Sequence, residues 1–577
     1  MQQVLVVEAP KKVHTLNKLL GPGFIVIPTG GHIKDLPPDE LAVCIEDSFK
    51  VKYSYLPRKE FTVKELQRHS AFPIFICTDA DREGERIGAH VADILGIPLS
   101  AASRVTYGNL SLTEIQRGLS SPRPFNIPLL DAQESRRIVD RLMGYLISKW
   151  LWKAADLFKV RLVAAGRVQS AVLNLIVARE EAVESFKPTT HYLFKLKRPT
   201  EIIKKDAFEA VQVKNVGTAD DPRYEEVRYN SLSELNGEME EFRESAGTLS
   251  VISTTSRVDS PAPPPPLITS TLIKQASTLF GMSPEKIMAS AQELYASGFI
   301  SYIRTDNPNV SEEFLTLGKA HFEAKKCSLL AENIKTYKAP DGAQEAHEAI
   351  RPVDLNLPFS TIPVEHLNVY RLIAFRSLLS LCGPAIMEKA SHIIQRDRWL
   401  FKASATAIKD AGWYKFPDCF PEFADLFNKS FSLPKSAALP DSLADFIPLQ
   451  YPVTSQCPPR FTVATLTDEM EKQEIGRPST YVAVFVTLER HKYIEYTKQK
   501  SIVPSVSGRF AIKLLREYFN KFIEASYTCQ MEKDLDTIAQ GKLSKETFLT
   551  LWYHEFVSAS DSAFAAIEKL LSSRPTI

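Results

Sequence analysis

Cysteine is scarce and scattered. Cys44, Cys77, Cys327, Cys382, Cys419, Cys457 and Cys529 never form a C-x-x-C step, which excludes a zinc ribbon among these residues. An odd set with no secretion signal points to reduced thiols in the cytoplasm. The opening MQQVLVVEAPKK lacks the charged region and long apolar run of a signal peptide and reads as a strand. No stretch approaches the ~18 continuous apolar residues of a membrane helix. Neither sign of charge is in excess: 70 Lys and Arg against 69 Asp and Glu leave +1. That excludes a uniformly basic surface but not a local basic groove. AQGKLS and EIGRPST fall short of G-x-x-x-x-G-K-[ST], so nothing indicates ATP use. EAHEAIRP begins like a zinc-protease motif, but Arg351 stands where its second histidine belongs.

What is present is ordinary globular material in quantity. The chain has 577 residues, 44% hydrophobic and 24% charged, enough for roughly four domains. The first 150 residues alternate strand and helix signals: QVLVVEA, then apolar spacing at Val13, Leu16, Leu19 and Leu20, then FPIFICT, then Ile87, Val91, Ile94 and Leu95 on one helical face. This predicts an open parallel α/β sheet. Residues 151–190 read as helical and 191–260 as short strands. PAPPPPL at 261–267 reads as a stiff hinge between domains, or as a ligand for a proline-binding domain. Ser283-Pro284-Glu285 starts a helix that Gly298 ends, and FISYIR follows as a strand. Residues 390–455 read as β-rich and irregular, and helices return from about 460.

Two constellations carry chemistry. In TDADREGE, Asp79, Asp81 and Glu83 are each two residues apart, so an extended segment would converge three carboxylates. Such a set suits Mg²⁺, and Glu8, at the end of the first strand, could join it. The same pattern also reads as an acidic helix start. In GFISYIRTD, a strand would put Ile300, Tyr302 and Arg304 on one face, with a tyrosine nucleophile beside a phosphate clamp; a packing tyrosine is the plainer reading. AAGRVQS offers Gly166, Arg167 and Gln169 either to phosphates or to an ordinary helix start.

Together, and in order, VLVVEAPKK, GGHIKDLP, TDADREGERIG, SRRIVDRLMGY, AAGRVQS, GFISYIRTD, AQEAHEAIRP, GRPSTY and YTCQMEKDLDTIAQGK resemble the type IA DNA topoisomerases, with YIRTD, GRPSTY and QMEKDLD closest to bacterial topoisomerase I. The resemblance implies a multidomain torus of α/β and α+β parts. A Rossmann-like Toprim domain takes 1–150, a helical single-stranded-DNA domain 151–190 with 460–577, a β-rich arch 191–262 with 390–459, and a tyrosine-bearing domain 263–389. It implies Tyr302 as nucleophile, with Arg304, Lys12 and Glu8 assisting, and Mg²⁺ on Glu8, Asp79, Asp81 and Glu83. DNA contacts are expected at His32, Asp140, Arg141, Gly166, Arg167, Val168, Gln169, His347 and Arg477. The expected protein is a cytoplasmic, nucleoid-associated monomer that relaxes negatively supercoiled DNA without ATP. Departures are Ala9 for the usual serine, Asn307 after the R-T-D, Asn109 where an acid is common, and no zinc-ribbon tail, which puts processive relaxation in doubt. Two alternatives remain: a decatenase of the topoisomerase III type, and another Toprim nuclease or primase.

Overall fold

The computed structural model describes residues 2–158, 164–201, 208–218, 220–338, 348–436 and 438–572. The amino-terminal part is built on a parallel sheet of Phe24–Pro28, Gln3–Val7, Ile74–Ile76 and Ser103–Arg104, in that spatial order. Val4 to Val7 are fully buried, as a strand covered on both faces requires. The helices Lys12–Leu20 and Arg82–Ile94 begin just beyond the carboxyl ends of the first and third strands in sequence. That edge is where open α/β sheets bind ligands, and Glu8, Asp79 and Asp81 leave it there.

The turn after Ile76 is held from beneath. Buried Arg104 donates to the carbonyls of Thr78 at 2.7 Å and Asp79 at 2.6 Å, and its Nε to Glu85 at 2.9 Å. Asp81 caps the Arg82–Ile94 helix by accepting from the Gly84 amide at 2.7 Å. A Cβ at Gly84 would lie 2.1 Å from the Asp79 carbonyl oxygen, so only glycine lets the helix start this close to the turn.

The 32-residue helix Ile127–Phe158 shares one core with Arg167–Glu184, Val463–Lys472, Tyr481–Arg490, Val506–Tyr518, Ala525–Ala539 and Lys545–Ser572. Trp150 is fully buried there and donates to the Ala563 carbonyl at 2.8 Å. A boundary at 150 therefore cuts a continuous helix whose buried side, from Ala132 on, packs with the helical body.

A seven-stranded antiparallel sheet combines two stretches of chain: Thr190–Lys197, Glu209–Asn215, Tyr224–Glu226 and Ser250–Asp259 with Ile386–Arg396, Trp399–Asp410 and Ile447–Thr454. Between them lies the tyrosine-bearing segment, with its own core around Leu272, Ile287, Tyr295, Phe375 and Leu379. Residues 412–430, expected to be β-rich, form short helical turns instead, and Trp413, Phe416, Phe420, Phe423 and Phe427 join that core. Their closely spaced aromatics bury better on one helical face than on a two-sided strand. The proline run is half-buried against the same unit: Trp413 Nε1 donates to the Pro261 carbonyl at 3.0 Å, and Arg376 to that of Pro265. Its packing is that of a fastened strap rather than a free linker.

Two further expectations are corrected. FISYIR is no strand. Ile300 makes one bridge, to Pro352, and then Ser301, Tyr302 and Thr305 donate backbone hydrogen bonds to Arg351, Gly108 and Thr269, three separate parts of the chain. With its donors spent singly, the segment has no ladder. Nor are all the thiols reduced: Cys327 and Cys419 form a disulfide, their Cα atoms 5.6 Å apart. A separation of 92 residues hides that proximity in the sequence.

His90, on the Arg82–Ile94 helix, is 5% exposed, and neither ring nitrogen has a hydrogen-bond partner. Its ring lies against Tyr53 and His32. Burial, then the charges of Arg86, His32 and Lys34, push its pKa down to about 3. The folded chain thus refuses a proton that the unfolded chain accepts below about pH 6.5. Stability falls as pH drops through that window, by about 2 kcal/mol at pH 5 from this residue alone. His90→Phe is expected to flatten the difference between unfolding at pH 7 and pH 5 by that amount; an unchanged pH slope would refute it.

Candidate active site

The tyrosine segment meets the carboxyl edge of the parallel sheet. The Tyr302 hydroxyl donates to Asp81 Oδ2 at 2.6 Å, and Arg304 Nη1 lies 3.4 Å from the same oxygen. Tyr302 is 3% exposed; burial first, then Asp81 and Asp79, hold its pKa well above that of free tyrosine. The phenol is therefore neutral, with its proton directed at a carboxylate. Arg304 is a third exposed, which leaves its guanidinium open to a ligand from the groove.

Lys12 lies beside them, fully buried, ion-paired through Nζ with Asp79. Its Nζ donates to the Tyr295 hydroxyl at 3.2 Å and sits over two rings, Tyr295 at 4.3 Å and Tyr107 at 5.4 Å. Burial opposes the charge, but Asp79 and the two tyrosines hold the Lys12 pKa well above its ordinary value. Glu8 shows the opposite balance. Burial, then Asp79 and Asp81, raise its pKa to about 7, against weaker pulls from Lys12 and Arg304. At neutral pH it carries a proton about half the time.

The three acids of TDADREGE do not converge. Asp79 is in the turn, Asp81 caps the helix, and Glu83 is already inside it, where alternation no longer applies. Glu83 instead accepts from Gln133 at 3.1 Å and lies 2.9 Å from His32 Nε2. Burial works against both charges of that pair, yet their hydrogen bond keeps Glu83 below and His32 above the ordinary values. Among the described residues, no three His, Cys, Asp or Glu side chains are arranged to hold a metal ion. Lys12, Tyr302 and His32 each hold one of the carboxylates. The donors are nonetheless hard oxygens, and the repulsion felt at Glu8 is what a divalent cation relieves.

Outward from Tyr302 runs a groove lined by Asp81, Arg82, Arg136, Arg304, Arg477 and Asp536. Arg477 donates to Asp536 at 2.7 Å, and Arg82 pairs with the other oxygen of that carboxylate. The remaining expected DNA contacts are mostly engaged elsewhere. Arg167 is fully buried, 2.8 Å from Glu532 and 3.2 Å from Asp140. Arg141 donates to the carbonyls of Leu36, Pro37 and Glu40. Gly166 caps the Arg167–Glu184 helix; Val168 and Gln169 follow it half-buried. His347 lies outside the described residues. Sequence reasoning passed over Arg82, Arg136, Tyr295, Glu532 and Asp536. For the last two a signal existed, because four residues apart in QMEKDLD they share a helical face.

Comparison with known proteins identifies the two parts of the chain that meet here. Residues 3–115 match the Toprim domain family, and residues 124–550 match a family described as DNA topoisomerase. The chain is 30% identical over 604 aligned residues to DNA topoisomerase 1 of Haemophilus influenzae, covering 97% of this chain and 67% of that one. Its structure resembles full-length topoisomerase I from Thermotoga maritima, with a TM-score of 0.79 and 26% identity over 96% of this chain and 90% of that one. A Toprim sheet carrying the acids, a topoisomerase body over most of the remaining length, and a buried tyrosine where they meet make this chain a member of the type IA DNA topoisomerases, a bacterial topoisomerase I-like enzyme.

Proposed function

We propose that this protein relaxes negatively supercoiled DNA by opening one strand on Tyr302. The observation that carries the reading is the Tyr302 hydroxyl 2.6 Å from Asp81, beside Arg304 and within one buried cluster with Lys12 and Glu8. Tyr302 Oη attacks the phosphorus, the P–O3′ bond breaks, and a 5′-phosphotyrosine link forms. Asp81, which accepts the phenol hydrogen bond, takes the phenol proton as Oη attacks and returns it on resealing. Glu8, half protonated near pH 7, gives a proton to the departing O3′ and recovers it on resealing. Arg304 and Lys12 stabilise charge developing on the phosphate oxygens. Because the phosphotyrosine conserves the bond energy, no ATP is consumed.

To hold Mg²⁺, Asp79 and Asp81 would have to leave Lys12 and Tyr302 and draw together with Glu8, which would then act as ligand and as acid in turn rather than at once; Glu83, paired with His32, is the least suited of the four. The ion would supply positive charge for positioning the DNA phosphates. A single strand lies along the groove of Arg82, Arg136 and Arg477, with His32 at its Toprim end. The chain works as a monomer in the cytoplasm, at the nucleoid. No helix among the described residues is long and apolar enough to cross a membrane. The four-part torus fits this reading with one change: the Toprim part ends before Ile127, where the long helix joins the helical body.

The test is supercoiled plasmid with Mg²⁺ and no ATP. Relaxation is expected, with loss on chelation and steep weakening as salt rises. Hydrolysed products, nicked or linear, without protein-bound DNA would favour a Toprim nuclease or primase instead. Faster separation of linked circles than relaxation would favour the decatenase.

A further inference from the structure

Lys12 belongs to the Toprim part, but what encloses it comes from two sides. Asp79 and Tyr107 are its own domain's partners. Tyr295 belongs to the other side, near the end of the helix Pro284–Ala296 that leads into Tyr302. It is fully buried, hydrogen-bonded to Lys12 Nζ, and packed edge to face on the Tyr302 ring at 5.3 Å between centroids. The same helix end is fastened across the seam by Thr15 Oγ1 donating to the Ala296 carbonyl at 3.0 Å and by a Lys11–Glu293 ion pair.

We infer that Tyr295 is a positioning residue for Lys12, delivered together with Tyr302, so that the lysine is set for reaction only while the tyrosine segment is seated on the sheet. This rests on the role proposed above for Lys12. Strand passage requires the tyrosine segment to leave the sheet in this reading, and on leaving it takes from Lys12 a hydrogen-bond acceptor, the nearer of its two rings and its burial in one movement. A water-exposed ammonium with freed rotamers stabilises a transition state poorly, because the stabilisation depends on a fixed charge in a dry site. Breaking and remaking the phosphodiester are thereby confined to the seated state. The open state keeps the strand on Tyr302 with its lysine out of place.

The test uses the full chain, Mg²⁺ and a short single-stranded oligonucleotide labelled at its 5′ end. Single-turnover cleavage at saturating enzyme is measured beside the oligonucleotide Kd and the melting temperature. Tyr295→Phe keeps the ring and removes the hydroxyl; it is expected to slow cleavage about tenfold at unchanged Kd and melting temperature. Tyr295→Leu removes the ring as well and is expected to slow it about a hundredfold. In a Lys12→Met background, Tyr295→Phe should change the rate by less than about twofold, because the two residues act as one unit. Wild-type cleavage by Tyr295→Phe overturns the inference. So does an undiminished tenfold loss in the Lys12→Met background, which would mean that the tyrosine acts apart from the lysine. So does a Tyr295→Leu protein that melts early and binds weakly but cleaves normally once saturated, which is the behaviour of a packing residue. Lys12→Met that cleaves like wild type removes the assignment of Lys12 itself and is read separately from the cycle.

Discussion

Tyr302→Phe is expected to form no covalent DNA adduct and to relax no plasmid, a loss of roughly 10⁵-fold or more, as when an enzyme loses its nucleophile. The same protein should still fold and bind DNA. The substitution removes one hydroxyl from a ring that stays packed on Tyr295, and costs about 1 kcal/mol for the hydrogen bond to Asp81. Denaturing electrophoresis after incubation with 5′-labelled and 3′-labelled oligonucleotides checks it. The wild type should carry only the label downstream of the break, since the tyrosine keeps the 5′ phosphate. An adduct on Tyr302→Phe would move the nucleophile to another residue, and an adduct retaining the upstream fragment would reverse the polarity of the reaction.

The second large effect is on stability. Glu532 is fully buried and accepts from Arg167 at 2.8 Å, with Arg136 at 3.7 Å. Burial alone would raise its pKa, but Arg136, Arg167 and Arg477 hold it far below the ordinary glutamate value. Glu532→Ala leaves fully buried Arg167 without its central anion, and removes a counter-charge from Arg136 and Arg477 at the groove wall; it is expected to cost about 3–5 kcal/mol. The sign with pH follows from the depressed folded-state pKa. The contribution is complete above about pH 4.5 and is lost as pH falls below it, because only the unfolded chain takes up the proton there. Urea unfolding of the helical body at pH 7 and pH 4 should show the variant far less stable at pH 7 and less penalised on acidification. A midpoint matching the wild type at pH 7 would mean that Asp140 and Asp536 suffice to balance the arginines.

The parallel sheet, its helices and the capped start at Ser283 were legible because apolar periodicity and turn residues are local. Tyr302 and Arg304 stand out only through the resemblance, since spacing alone reads Tyr302 as packing; what the structure adds is that both meet Asp81. What escaped was set by contacts distant in sequence. Glu83 was grouped with Asp79 and Asp81 because alternation holds only in extended chain, and the helix begins between them. FISYIR has a strand-like composition but no neighbouring strand to complete a ladder. The aromatics of 412–431 are recruited by a core formed largely upstream. Arg167 carries a motif that suggests phosphate binding, yet Glu532, 365 residues away, takes its guanidinium. Tyr295 gave no signal of its own, since nothing in its neighbourhood reveals that Lys12 will lie above its ring.

The antiparallel sheet has a consequence for how the chain is made. One of its long seams pairs Ser250–Asp259 with Ile386–Arg396, and Asp259 sits opposite Met387, so the whole tyrosine-bearing insertion leaves and re-enters at one rung. During synthesis the first of these strands must wait, unpaired, until the insertion has emerged. Closing so long a loop is slow if the insertion is unfolded and much less so if it has already compacted. The insertion therefore compacts in part ahead of the sheet from which it hangs, and its core is completed by Trp413 to Phe427, which emerge after both neighbouring strands. In the interval the waiting ten-residue strand offers two open edges to other nascent chains; pairing with Ile386–Arg396 closes one, and the other stays at the end of the folded sheet, where Val251, Ile252 and Val258 remain exposed. Chains terminated before Ile386 should aggregate more readily than chains carried past Asp410, in which Ile386–Arg396 covers one of the two edges.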